Sequence, residues 1–156
     1  MSEKPHIAQL SRSGGGVPKL PIFEVEVNER GLAGDACNDK EHHGGPEQAL
    51  CIYAVEVIEA LAAEGHAIAA GATGENITTR GLDWKLMVPG TRWRLGSHVL
   101  IEITRYTTPC YKNARWFLEG DFNRMHQNLH PGFSRVYAKV LEGGMLRAGD
   151  AIAVAP

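Results

Sequence analysis

The sequence predicts a mainly β fold with a few helices, built as a compact, barrel-like single domain over residues 1–156. Many short runs alternate apolar and polar residues, as strands with one solvent-facing side do. The 18 glycines fall mostly between these runs, where they mark turns. A chain of 156 residues can bury one core, and no linker-like stretch divides it. This combination is typical of β-barrels and sandwiches.

The predicted strands recur along the whole chain. The first clear one is IFEVEV (22–27), which alternates apolar and acidic residues. The later ones are the start of ALCIY (49–53), ITT (77–79), RWRLG (92–96), HVLIEITR (98–105), SRVYAKVL (134–141) and AIAVA (151–155). Each is short and is followed by a turn-forming residue or a change of period, so we expect a sheet of many short strands.

One helix is predicted from Val55 to a stop at Gly65, because apolar residues recur there at helical spacing. A second helix is predicted just after Cys110, in KNARWFLEG (112–120), and a further short turn in FNRMHQNLHPG (122–132). Few helices beside many strands keep the prediction mainly β.

Composition excludes several classes of protein. The net charge is −2 with the two signs interspersed, so neither nucleic acid nor a membrane surface is an expected partner. No apolar run reaches the roughly 18 residues of a membrane span, and MSEKPHIAQL does not resemble a signal peptide, so we expect a cytoplasmic protein. Three cysteines without a CxxC pair argue against a zinc ribbon and cannot supply a four-thiolate iron–sulfur cluster.

The long polar segment 28–49 (NERGLAGDACNDKEHHGGPEQA) is the first stretch that could carry chemistry. Loops of this length are usually functional or disordered. Its metal-ligand types are Asp35, Cys37, Asp39, His42 and His43, but their spacing matches no compact zinc signature. A metal site, a solvated surface loop and a loop that holds a cofactor or substrate all remain open.

A second stretch, GATGENITTRG (71–81), places Gly71 and Gly74 around a turn that leads to Glu75 and Asn76. The glycines favour a tight backbone path, and the two side chains supply hydrogen-bonding groups. The stretch could equally be a plain turn capped by the asparagine.

A third stretch, TTPCYKNARW (107–116), presents Cys110 directly after Pro109. Lys112 and Arg115 would favour the thiolate if they lie close, and the positive end of a following helix would add to this. A thiolate can attack an electrophile or bind a soft metal. The alternative is an inert buried thiol, a description that Cys51, inside apolar ALCIY, fits better.

In this order, the segments GLAGDACNDKEHHGGPEQA, GENITTRG, TRYTTPC and LEGGMLRAGD resemble MOSC domains, the C-terminal domains of molybdenum cofactor sulfurases and their stand-alone relatives. GGGVPKLP (14–21) resembles the family's entry segment, so the resemblance runs from about residue 7 to 154. Two positions depart from the pattern. Thr107 stands where relatives often carry arginine, and Cys37 stands where they usually carry a polar residue without a thiol.

The resemblance implies a barrel-like fold and the molybdenum cofactor (Mo-molybdopterin) as ligand, with Cys110 as the thiolate contact to molybdenum or as a sulfur carrier. Asp35, Glu75 and His43 become candidate catalytic residues with Cys110. The implied cofactor-binding residues are Lys19, Gly44, Gly45, Gly74, Asn76, Arg105 and Lys112, with Lys19 a candidate for the pterin phosphate. Pyridoxal phosphate is not expected.

The stand-alone relatives reduce N-hydroxylated substrates of the hydroxylamine or amidoxime type, and this resemblance implies an oxidoreductase that takes electrons from a separate reductase. One alternative is a non-catalytic module that carries the cofactor or its sulfur on Cys110. Two others are a sulfurtransferase that uses a Cys110 persulfide and a zinc or iron centre built on Asp35, His42 and His43.

Overall fold

Residues 4–35 and 45–156 are described in this computed structural model, and they form eleven strands, one α-helix and five short 3-10 helices. The strands are β1 His6–Arg12, β2 Leu20–Ile22, β3 Glu24–Asn28, β4 Gly31–Leu32, β5 Leu50–Ala54, β6 Ile77–Arg80, β7 Arg92–Leu95, β8 Val99–Tyr106, β9 Val136–Glu142, β10 Gly144–Arg147 and β11 Ile152–Ala155. The helix α1 spans Val55–Ala63, and the 3-10 helices span Pro46–Gln48, Trp84–Leu86, Tyr111–Trp116, Leu118–Gly120 and Phe122–Met125. The mainly β prediction is confirmed.

Eight strands form one sheet in the order β11-β7-β8-β9-β5-β6-β1-β2, and β10-β3-β4 form a second. Neighbours pair antiparallel except β5 and β6, which are parallel and are joined through α1. The large sheet curls until His6 of β1 bridges Ala151, just ahead of β11. The Ile7 amide donates to the Asp150 carbonyl (2.9 Å), which reinforces this junction. A single bridge does not make a closed barrel, so the fold is barrel-like with an incomplete seam.

Alternation along the strands fills the core as the sequence predicts. In β3, Val25 and Val27 are buried between exposed glutamates. Helix α1 buries Ile58 and Leu61 against a second apolar cluster, and Gly65, at a φ of 103°, follows its end. The predicted helix is thus confirmed. With nine residues it is the longest helix in the described ranges, and no helix there is long and apolar enough to cross a bilayer.

Two predictions about elements were wrong. The run 22–27 is not one strand, because Phe23 separates β2 from β3. The segment after Cys110 forms no α-helix but two 3-10 helices separated by Phe117, which is extended and buried in the cluster against α1. Burying that ring interrupts the helical path. A six-residue 3-10 helix offers little of the dipole that was expected to favour a Cys110 thiolate.

Candidate functional site

The turn between α1 and β6 is tied together by the carboxylate of Glu75, which is fully buried. It accepts hydrogen bonds from the Gly71 amide (2.8 Å), the Thr73 hydroxyl (2.8 Å) and the Thr78 hydroxyl (3.1 Å). Burial raises the pKa of Glu75, and the bond from the Gly71 amide opposes the rise. The side chain therefore holds the turn from inside, and its oxygens are committed to that turn.

Glycine at position 71 is required by a close backbone approach. Gly71 has a φ of 84°, and a Cβ atom there would lie 2.5 Å from the carbonyl oxygen of Lys19. The Lys19 amide in turn donates to the Gly71 carbonyl (2.9 Å). Gly74, at a φ of 98°, faces the side chain of Val17, and a Cβ atom there would lie 3.0 Å from Cγ1. The turn thus packs directly on the 14–21 segment, which joins two stretches that the sequence analysis singled out separately.

Asp35 stands at the centre of a polar network that joins three of these segments. Its carboxylate forms an ion pair with Lys19 (Nζ–Oδ2 2.6 Å), and both side chains are under a tenth exposed. The Asn76 side-chain amide donates to the same oxygen (2.9 Å), and the Ser13 amide donates to the other (3.0 Å). Lys19, Asp35 and Asn76 therefore lie together, but the lysine charge is already paired.

Cys110 is half-buried and extended, directly after buried Pro109 at the exit of β8. Its carbonyl accepts the Asn113 amide (2.9 Å), and the Asn113 side chain donates to the Thr73 carbonyl (3.1 Å). The Arg115 guanidinium donates to the Val17 carbonyl. These bonds fasten the Cys110 segment to the 71–76 turn and the 14–21 segment.

Arg135, which the sequence analysis did not select, lies just before β9 and is almost fully buried. Its Nη1 donates to the Thr73 carbonyl (2.8 Å), the same oxygen that Asn113 contacts. Its Nε and Nη2 find no hydrogen-bond partner among the described residues. The only sequence signal was an arginine beginning an alternating strand, which is typical of a surface position.

The remaining predicted site residues are less closely joined. Arg105 is exposed, with its guanidinium 5.0 Å from the centre of the Tyr137 ring. Lys112 is half-buried. Gly45, at a φ of 80°, is exposed with open space around it. Their roles as cofactor contacts stay predictions.

The metal-centre alternative depends on residues that the structure describes only in part. His42, His43, Gly44, Cys37 and Asp39 lie outside the described residues. Within the described ones, no group of three or more histidine, cysteine, aspartate or glutamate side chains is placed to hold a metal ion.

The fold and this convergence of segments define a mainly β domain with a half-buried thiol beside a glycine-bounded turn. The family model of the MOSC domain matches residues 39–153, so the chain belongs to the MOSC family. MOSC domains are associated in general with binding of the molybdenum cofactor. The family prediction is confirmed.

Two curated relatives are similar to this chain. Protein YiiM of Escherichia coli K12 is 36% identical over 109 residues, which cover 67% of this chain and 48% of YiiM. The uncharacterized protein YflK of Bacillus subtilis 168 is 30% identical over 139 residues, covering 86% of this chain and 60% of YflK. The chain thus matches about half of the length of these relatives.

Solved structures share the fold over nearly the whole chain. A crystal structure described as a hypothetical protein has a TM-score of 0.79 and 27% identity, covering 99% of this chain and 70% of the other. The crystal structure of YiiM from Escherichia coli has a TM-score of 0.73 and 27% identity, covering 96% and 69%.

Proposed function

We propose that this chain binds the molybdenum cofactor where the Cys110 segment, the 71–76 turn and Arg135 meet. The observation that carries the proposal is the Cys110 thiol, half-buried after a rigid proline and fastened through Asn113 to that turn. A thiolate is a soft ligand suited to molybdenum. The donor set fits such a group, because the segment that carries the soft ligand is linked through Asn113 and the Thr73 carbonyl to a buried cation whose donors are partly unused.

The proposed activity is reduction of N-hydroxylated substrates, of the hydroxylamine or amidoxime type. The cofactor, when bound, supplies the two-electron redox chemistry, while the protein orients it and controls protons. Cys110 is the proposed metal contact. The Asp35 network holds the surrounding segments in register, since its carboxylate already accepts three hydrogen bonds.

Loss of the hydroxyl oxygen as water requires a proton donor. The Glu75 oxygens are held by three donors of its own turn, and Asp35 is committed to Lys19 and Asn76. We therefore assign proton donation to His43, the third of the predicted candidates.

Under this proposal, electrons come from outside the sequence described here. The chain has three cysteines, too few for a four-thiolate cluster, and no GxGxxG element. A separate reductase is the proposed partner. The proposed compartment is the cytoplasm, where thiols such as Cys110 stay reduced.

The test is metal and pterin analysis of protein made in a host that synthesises the cofactor. Wild-type protein and the control Cys51→Ala, which removes a buried thiol, are expected to carry molybdenum and pterin, whereas Cys110→Ala loses molybdenum with the fold intact. The loaded protein is expected to reduce an aromatic amidoxime with reduced methyl viologen as electron donor. Molybdenum retained in full by Cys110→Ala would overturn the proposal.

The other outcomes identify the alternative functions. Bound cofactor without turnover of any N-hydroxylated compound would indicate a carrier. A sulfur adduct trapped on Cys110 without molybdenum would indicate a sulfurtransferase. Zinc or iron that survives Cys110→Ala and is lost in His43→Ala would indicate a metal centre on the 35–43 segment.

A further inference from the structure

Arg135 has a buried side chain whose hydrogen-bonding capacity is only partly used. It is 2% exposed, and Nη1 donates to the Thr73 carbonyl at 2.8 Å. Nε and Nη2 are also buried, and the described residues supply neither with an acceptor. Buried charged groups in proteins are normally paired and hydrogen-bonded, since an unpaired one is costly. Two idle donor atoms on a buried cation therefore point to an acceptor from outside the described chain.

Other polar atoms beside Arg135 are only partly used. The Asn113 side-chain oxygen is buried and lacks a hydrogen-bond partner in the described part of the chain, and the Thr107 hydroxyl, also buried, has only the Cys51 thiol beside it. The Thr107 amide donates to the Arg135 carbonyl (3.0 Å), and Asn113 donates to the Thr73 oxygen that Arg135 also contacts. Asn113 and Arg135 thus meet at the Thr73 carbonyl, and Thr107 is joined to Arg135 through the backbone, so three segments bring partly unused polar groups together, as ligand sites do.

The neighbouring charged groups do not satisfy Arg135. Lys19 and Asp35 pair with each other, so neither is a free partner. The Glu75 carboxylate is held by three donors of its own turn, and the Arg135 charge acts on it only from beyond ion-pair distance. Burial raises the pKa of the Cys51 thiol, which keeps it neutral despite the nearby guanidinium. Among the described residues of this site, Arg135 is therefore a buried cation that forms no ion pair.

We propose that Arg135 binds an anionic oxygen group of the ligand through Nε and Nη2, with the Thr107 hydroxyl as a further donor. The Nε–Nη2 edge of a guanidinium matches two oxygens of a phosphate or carboxylate. The inference rests on the proposed function, in which the group is the pterin phosphate. A free oxyanion such as inorganic phosphate offers the same chemistry. Arg135 thereby takes the role that the sequence suggested for Lys19, whose charge is spent on Asp35.

The experiment compares the full-length wild type with Arg135→Met, Arg135→Lys and the control Arg92→Met, which removes an exposed guanidinium paired with Glu102 at 2.9 Å. Pterin per folded chain is measured in protein from a cofactor-making host. Inorganic phosphate affinity is measured separately on cofactor-free protein. Arg135→Met is expected to weaken phosphate binding about tenfold or more and to lower the pterin content, because a charge-assisted hydrogen bond is lost. Arg92→Met is expected to match the wild type.

Thermal unfolding of the ligand-free proteins separates ligand binding from a structural role. Replacing an unpaired buried cation with an apolar side chain removes a desolvation cost, so the midpoint of Arg135→Met is expected to equal or exceed that of the wild type. Arg135→Lys keeps the positive charge but loses the paired Nε and Nη2 donors. It is therefore expected to bind the anion more weakly, and it tests binding even if the methionine variant does not fold.

The remaining outcomes are distinct. Loss of pterin alone assigns the cofactor phosphate as the ligand, and loss of phosphate binding alone assigns a free oxyanion. Wild-type protein without pterin but with Arg135-dependent phosphate binding would refute the proposed function and leave this inference standing. Unchanged pterin and phosphate binding in both Arg135 variants, or a lowered midpoint without any binding defect, overturns it.

Discussion

Lys19 and Asp35 form an ion pair of 2.6 Å, with their side chains 8% and 9% exposed. The pair joins the entry segment to the chain that follows β4, and Asn76 extends it to the 71–76 turn. Its main effect is structural, because the two charges, taken from water, satisfy each other. The effect of removing these two charges on the stability of the fold can be measured without any ligand.

Lys19→Met is expected to lower the free energy of unfolding by about 3 kcal/mol or more, because it leaves the Asp35 carboxylate buried without its cation. Urea denaturation measures the change, with Arg92→Met as the exposed-pair control, expected to change the free energy of unfolding far less because solvent screens that pair. The double variant Lys19→Met with Asp35→Asn should recover part of the loss. Equal costs for the buried and exposed pairs would contradict this.

Gly71→Ala is expected to destabilise the fold more than Gly90→Ala. Both glycines have positive φ, 84° and 93°, so each substitution incurs about 1–2 kcal/mol of backbone strain. Only at position 71 would the new Cβ meet a backbone atom, 2.5 Å from the Lys19 oxygen, whereas position 90 has nothing within 4 Å. Denaturant unfolding of the two variants gives the comparison. A Gly71→Ala loss no larger than that of Gly90→Ala would show that the 17–19 segment moves aside freely.

Glu75→Gln is expected to change the pH dependence of stability. Burial raises the pKa of Glu75 above its ordinary value of 4.5, so the native state holds its proton more tightly than the unfolded chain does. Stability from this group is therefore fully present below pH 4.5 and is lost as pH rises through the raised pKa. Relative to the wild type, the glutamine variant should gain stability as pH rises from 4 to 8. Parallel stability curves for the two proteins would count against this.

Cys110 and Cys51 are expected to differ in reactivity toward a thiol reagent. In a Cys37→Ser background, the native protein should label at half-buried Cys110, while buried Cys51 labels only on unfolding. Mass spectrometry of the labelled peptides reports each site. Labelling of Cys51 at the rate of Cys110 without denaturant would refute the arrangement of the two thiols.

Much of the fold could be predicted because burial and backbone period agree locally. Val25 and Val27 alternate with glutamates, and α1 starts where the apolar period changes at Val55. The α-helix predicted after Cys110 was wrong. The local sequence there suits a helix, but burial of Phe117 against a distant cluster determines the backbone conformation instead. Such tertiary effects do not show in a local period.

The candidate site was only partly predictable, because some of its residues have a local sequence signal and others depend on contacts between distant parts of the chain. The glycine turn carries its own signal, since a tight backbone path demands residues such as Gly71. Arg135 carries none, because the strand SRVYAKVL places it on the side that alternation assigns to solvent, yet β9 is covered on both sides at its start. The family resemblance offered Lys19 as a phosphate contact, and its pairing with Asp35, 16 residues away, left no trace in the sequence. Long-range pairing of charges cannot be derived from spacing.

The hydrogen bond from Arg115 to the Val17 carbonyl joins residues 98 positions apart in the chain. Arg135, which contacts the Thr73 carbonyl, lies a further 20 positions along. During synthesis, the segment that contains Val17 is made long before Arg115 and Arg135, so the candidate site cannot form until most of the domain has been synthesised. Contacts of such long range form late and slowly. If the proposed site is correct, a nascent chain that ends before position 135 lacks one of its binding residues and cannot yet capture the ligand.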